Sequence, residues 1–163
     1  MAKQYFRLLS DVTVLYPRDY DLVDPTILDP ASASTLFPGE WLKTVYSGSD
    51  LKVQRGTGLE TDRICGPYFA DFKARTDVQA VKRVPILQWG EYEAYTFICN
   101  TTGLTTVGQP LSVNDVTVDT FTGKRGLVLT PAGTNLVVAT YMGPGEKTGE
   151  IRFLKKPGHF QTI

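Results

Sequence analysis

The chain has 163 residues, seventeen Lys plus Arg against seventeen Asp plus Glu, and one histidine, so it is the size of one domain and carries no net field that would draw it to nucleic acid or an anionic membrane. A chain this long buries roughly 70% of its unfolded surface, enough for a core of its own. The single histidine, His159, excludes histidine-rich metal chemistry and leaves any Ser-His-Asp or Cys-His apparatus resting on one residue near the C-terminus.

Residues 5–16 mix apolar and polar positions and carry β-branched Val12, Thr13 and Val14, which reads as a strand rather than a short helix. The same N-terminal stretch lacks the apolar run and cleavage site of a signal peptide, and no apolar run reaches the ~20 residues a membrane span needs. A protein made and kept in a cytosol is expected, which makes the sequon at Asn100 irrelevant. Between residues 17 and 39, prolines at 17, 25, 30 and 38 each remove a backbone donor and bias the preceding residue away from helix. The expectation is an extended N-terminal arm over residues 1–38. Its apolar side chains are too many for a solvated linker, so Tyr5, Phe6, Leu8, Tyr16, Tyr20, Leu22, Ile27, Leu28, Leu36 and Phe37 are the candidate assembly interface.

Beyond Gly39 the texture changes. Short β-prone runs bounded by Gly, Pro, Asn or Asp recur at 41–46, 51–54, 64–72, 84–88, 93–100, 110–113, 117–120, 126–130, 135–142 and 149–154. That rhythm predicts an all-β domain, an antiparallel barrel or sandwich, over residues 39–157, with a short tail at 158–163. Only residues 71–83 could carry a helical turn. Cys65 and Cys99 are too few for a disulfide framework or a cysteine zinc site and read as small buried apolar residues.

No stretch marks a catalytic centre, a cofactor site or a metal site. Asp19, Asp21, Asp24 and Asp29 lie close together but lack the glycine and closing glutamate of an EF-hand loop, so they read as solvated charges. GPGEKTGE at Gly143, RGTGLE around Gly56 and TGKRG around Gly123 miss the spacing of a phosphate loop and read as hairpin turns. Lys73, Arg75, Lys82 and Arg83 are interrupted by acids, and Lys155 with Lys156 closes a strand; both read as solvated rims rather than a nucleic-acid stripe. Trp41, Trp89 and Tyr92 would offer a stacking platform if they were exposed.

The runs PGEWLKTV (38–45), WGEYEAYTF (89–97), VGQPLSV (107–113), GLVL (126–129) and the closing VVATYMGP…TGEIRFLKKP resemble the strand-and-turn pattern of tailed-bacteriophage capsid decoration, or cement, proteins. The resemblance covers about two thirds of the chain. It implies a β-barrel or β-tulip-like body on the outside of a capsid, a non-enzymatic role in stabilising the shell, the major capsid protein as partner and a homo-oligomer, with a trimer preferred. On that reading the arm lies along a neighbour, and a chain without residues 2–37 folds but no longer binds. A tail or baseplate β-module that binds a receptor or carbohydrate is the alternative.

Overall fold

The computed structural model describes residues 4–9, 18–55, 64–69, 83–88, 90–133 and 136–156. Tyr16, Trp89, His159, residues 56–60 of RGTGLE and nearly all of the candidate helical stretch at 71–83 lie outside them. The described residues form eleven strands and one 3-10 turn, with no α-helix among them: β1 (Phe6–Leu8), β2 (Arg18–Asp21), the turn Pro25–Leu28, β3 (Trp41–Ser47), β4 (Asp50–Arg55), β5 (Ile64–Pro67), β6 (Arg83–Ile86), β7 (Tyr92–Thr96), β8 (Pro110–Val118), β9 (Phe121–Leu129), β10 (Ala139–Pro144) and β11 (Ile151–Lys155). The all-β expectation holds.

A six-stranded sheet runs in the order β1-β7-β11-β10-β8-β9, antiparallel at every step. Strict inward alternation in β7 (YEAYT) and β11 (IRFLK) puts Tyr92, Ala94, Ile151 and Phe153 on the core face. The sheet curls because the chain leaving β7 crosses to the far edge. Cys99 bridges Leu127 of β9, Leu127 N donates to Ile98 O, and Asn100 N donates to Leu127 O. Gly126 permits this crossing: a Cβ there would lie 2.4 Å from Ile98 O.

The remaining strands form two small sheets, β2-β6 and β4-β3-β5. Bridges join them at both sides, Leu22 to Val53 and Tyr68 to Ile86. Thus β2, β6, β5, β3 and β4 are linked in a ring around a second core of Tyr20, Leu22, Ile27, Leu28, Leu36, Leu42, Val53, Tyr68, Val84 and Ile86. Trp41, on the opposite face of β3 from Leu42, packs with Phe6, Phe69, Tyr92 and Phe153 in the first core, so β3 serves both.

The proline-rich segment is therefore no free arm. Residues 18–21 are a stave of the second ring, and Pro25 starts a 3-10 turn at N1 while the Asp24 carboxylate accepts from Thr26 N and caps it. That turn drops Ile27 and Leu28 into the second core, and Leu36 N donates to Ile27 O to hold the return. Upstream, β1 lies on β7 and Phe6 enters the first core. No seam separates residues 18–38 from the strands that begin at Trp41.

Two further expectations change. TGKRG is not a turn but the body of β9; the reversal falls earlier, where Asp119 takes φ 56, a conformation Asp tolerates better than most residues. The separate runs at 110–113 and 117–120 are one long strand, β8, whose exposed Asn114 and Asp115 mimic a break in the pattern. GPGEKTGE does form the hairpin loop between β10 and β11.

Candidate functional site

Of the candidate interface residues, Phe6, Tyr20, Leu22, Ile27, Leu28, Leu36 and Phe37 are buried against this chain's own strands. Leu8 is half-buried on the first core, and Tyr5 stacks on Phe37 with ring centroids 4.6 Å apart. These side chains therefore pack, wholly or in part, against this chain's own strands. Trp41 and Tyr92 are core residues too, at 0% and 1% exposure, which removes them as a stacking platform. The Tyr92 hydroxyl has no hydrogen-bond partner among the described residues, and burial raises its pKa well above the ordinary phenol value.

The segment is locked down by charges that the sequence did not single out. Glu40 is fully buried and its carboxylate accepts a two-pronged pair from Arg55, Nε at 3.0 Å and Nη2 at 3.0 Å. The same carboxylate accepts from the backbone N–H groups of Phe37 and Arg125, and Arg55 Nη2 also donates to Thr35 O at 2.9 Å. Lys124 reaches in from β9 to donate to Thr35 O, with its ammonium 4.2 Å from the centroid of the Phe37 ring. Burial pushes the Lys124 pKa down, against the upward pull of Glu40. One buried carboxylate thus holds the Arg55 guanidinium and two amides around residues 35–40, the satisfied form that a buried charge requires.

A second clamp fixes β1. Arg7 Nη2 donates to both oxygens of buried Glu150, at 2.9 and 3.1 Å, and the guanidinium lies 4.6 Å over the Tyr95 ring. Lys155, expected on a solvated rim, is buried, and its Nζ donates to Gln88 O and Gly90 O. Arg83 stays exposed and pairs with Asp21. The aspartates expected to be solvated charges are exposed or half-buried, yet Asp24 and Asp29 each cap a turn by accepting a backbone N–H. Among the described residues no group of three His, Cys, Asp or Glu side chains could hold a metal ion.

Three surface features remain. The first is a polar cleft of about 450 Å³ bordered by Cys99, Asn100, Asp115, Thr117, Asp119 and Thr148. Its thiol is not a nucleophile in waiting: burial, then the nearby Glu150 charge, pushes Cys99 up to about 12, and its Sγ lies against Thr96 O and Gly149 O. Asp115 is spent on Arg125, and Asp119 accepts from the Tyr5 hydroxyl at 3.0 Å. The Cys65 side chain lies outside the described residues.

The second feature is the loop at residues 100–110, which contains no charged residue. Asn100 Oδ1 accepts from Thr102 N, and Gln109 Oε1 accepts from Thr105 N and Thr106 N while its Nε2 donates to Gly103 O. So braced, the loop presents Val107 at 60% exposure.

The third is the mouth of the second ring. The 3-10 turn and Leu36 plug one end of that ring, but the other end opens as a cleft of about 490 Å³ between Arg18, Tyr20, Thr44, Tyr46, Leu51 and Gln88. These residues stand at the start of β2, the end of β3, the start of β4 and just past β6, where the register brings Arg18 opposite Ile86 and Tyr46 opposite Leu51. Tyr46 is the most exposed large apolar side chain among the described residues, at 68%.

No protein-family model, curated protein or solved structure matches the chain.

Proposed function

We propose that the protein is a non-enzymatic structural component of a virion that binds the outside of a phage capsid, with the major capsid protein as partner and a homotrimer as the working form. The observation that carries this reading is the braced loop at 100–110, which includes the VGQP turn of the decoration-like pattern. Its side-chain clamps fix it before any partner arrives, so docking orders little new structure. Its lack of charge spares the contact the desolvation of ions. Binding to the assembled shell stabilises that state by mass action.

The test is the mass of the purified protein in solution, followed by co-sedimentation with shells that lack it. A trimer that sediments stoichiometrically, and a Val107→Asp variant that keeps the parent melting temperature yet stays in the supernatant, are expected. A monomer that ignores the shells overturns the proposal.

A second reading, a tail or baseplate module that binds a receptor or carbohydrate, is favoured by the exposed Tyr46 ring at the mouth of the second ring.

A further inference from the structure

We propose that the mouth of the second ring binds an acidic sugar, with Arg18 taking its carboxylate and Tyr46 stacking on its ring. The inference rests on the carbohydrate-binding reading and sharpens it to a ligand class.

Barrel mouths are a common seat for ligands, and about 490 Å³ falls in the range of small-molecule pockets. What distinguishes this mouth is the set of groups around it. Tyr46 turns a flat aromatic surface to solvent at 68% exposure, which suits the C–H face of a pyranose, since a phenol offers an apolar body with a polar tip. Leu51, directly opposite Tyr46 across the β3-β4 pair, continues that apolar floor.

The polar side is pre-arranged. The Tyr20 hydroxyl donates to Gln88 Oε1 at 2.6 Å, which fixes the amide and leaves its Nε2 as a donor without a partner among the described residues. Arg18 lies with its guanidinium 5.1 Å from the centroid of the Tyr20 ring. That stacking holds the fork in place, and no carboxylate among the described residues pairs with it, unlike Arg7, Arg55, Arg83, Arg125 and Arg152, each of which has one. A planar fork with no carboxylate partner among the described residues, beside an amide donor and an exposed ring, is the donor set for a carboxylate carried on a sugar. Among the described residues, no acidic side chain lines the cleft to repel it.

The test uses the full chain, titrated by two-dimensional NMR with trigalacturonate and with its neutral counterpart galactotriose. Trigalacturonate is expected to bind saturably, about tenfold more tightly than galactotriose, as a charge-assisted contact commonly contributes, and to weaken as salt is added. Arg18→Gln should erase that preference, bringing the affinity for trigalacturonate down to that for galactotriose. Tyr46→Ala should weaken both sugars about tenfold at an unaltered melting temperature. Equal binding of the two sugars, insensitive to Arg18→Gln, overturns the acidic specificity and leaves the carbohydrate reading standing. If neither sugar shifts the resonances of residues around the cleft, both are overturned.

Discussion

The two cores of this molecule are built differently. The first is lined mainly by β7 to β11, in which two long hairpins, β8-β9 and β10-β11, are joined edge to edge by the non-consecutive pairs β8-β10 and β7-β11. The second is assembled from β2, the 3-10 turn, β3, β4 and β6, pieces drawn from residues 20 to 86 and closed by two single bridges. The first needs one polar device to fasten a distant strand, the Arg7 to Glu150 pair. The second is pinned by a buried carboxylate that gathers four donors from three segments. A core built on long, continuous ladders needs few polar anchors, whereas a ring closed by single bridges, with its loop-closure entropy to overcome, depends on specific ones.

That contrast can be broken most forcefully at Glu40. Glu40→Ala leaves Arg55 without its carboxylate, removes the negative charge nearby that favours charged Lys124, and strands two amides, and should cost about 3–5 kcal/mol in urea unfolding. Lys124→Met, which removes the desolvated cation and keeps the Arg55 pair, should cost far less. A Glu40→Ala variant as stable as the parent would show that the anchor is incidental.

The equivalence of the two cores is sharpened by a matched pair. Leu36 in the proline-rich segment and Leu111 in β8 are both almost fully buried, so Leu36→Ala and Leu111→Ala should each cost about 2–5 kcal/mol. Were Leu36→Ala neutral, the segment would be a peripheral strap. The closure of the first core can be probed at Gly126, where a methyl group meets Ile98 O at 2.4 Å. Gly126→Ala should cost about 1–3 kcal/mol and speed hydrogen exchange at Asn100 and Leu127 before it does so in β2.

The smallest effect belongs to the plug. The Thr26 hydroxyl, then the Thr26 backbone N–H, holds Asp24 below its ordinary pKa. A carboxylate with a depressed folded pKa contributes stability that is present above its unfolded pKa and lost as pH falls through the folded value. Asp24→Asn keeps a capping oxygen, so through the lost charge alone it should cost at most about 0.5 kcal/mol near neutral pH, and the parent and variant should converge as the medium is acidified below the ordinary carboxylate range. A gap that persisted in acid would assign the effect to something other than the charge.

Much of the first core is legible in the sequence. Alternation in EYEAYTF and in EIRFLK marks strands with one face inward, and the hairpin loop at Gly143 is bounded by turn residues. The exception is β8 to β9, where exposed Asn114 and Asp115 in mid-strand carry turn chemistry that the pairing with Gly126 and Arg125 overrides. The second core is hidden, because prolines at 17, 25, 30 and 38 argue locally against pairing. They bracket β2 and start a 3-10 turn instead, and Tyr20 is the lone inward residue of RDYD.

The buried charges are not legible, because a charged residue in a sequence reads as surface by default. Arg125, which donates to Glu40, lies 85 positions along the chain from it. Nor does the sequence mark Tyr46 as the exposed ring and Trp41, on the same strand, as the buried one, since exposure depends on which strand lies above and nothing local encodes that.

The most direct test of the claim that the proline-rich segment belongs to the fold is a chain that begins at residue 38, compared with the full chain by urea unfolding and near-ultraviolet circular dichroism. It lacks a β-stave, the plug, and two groups of the Glu40 lock, the Phe37 N–H and the Thr35 carbonyl. Their loss should leave no cooperative transition and no fixed aromatic signal. A shortened chain that unfolds cooperatively, with the parent's midpoint and aromatic signal, would contradict the account and return the segment to the role of an arm.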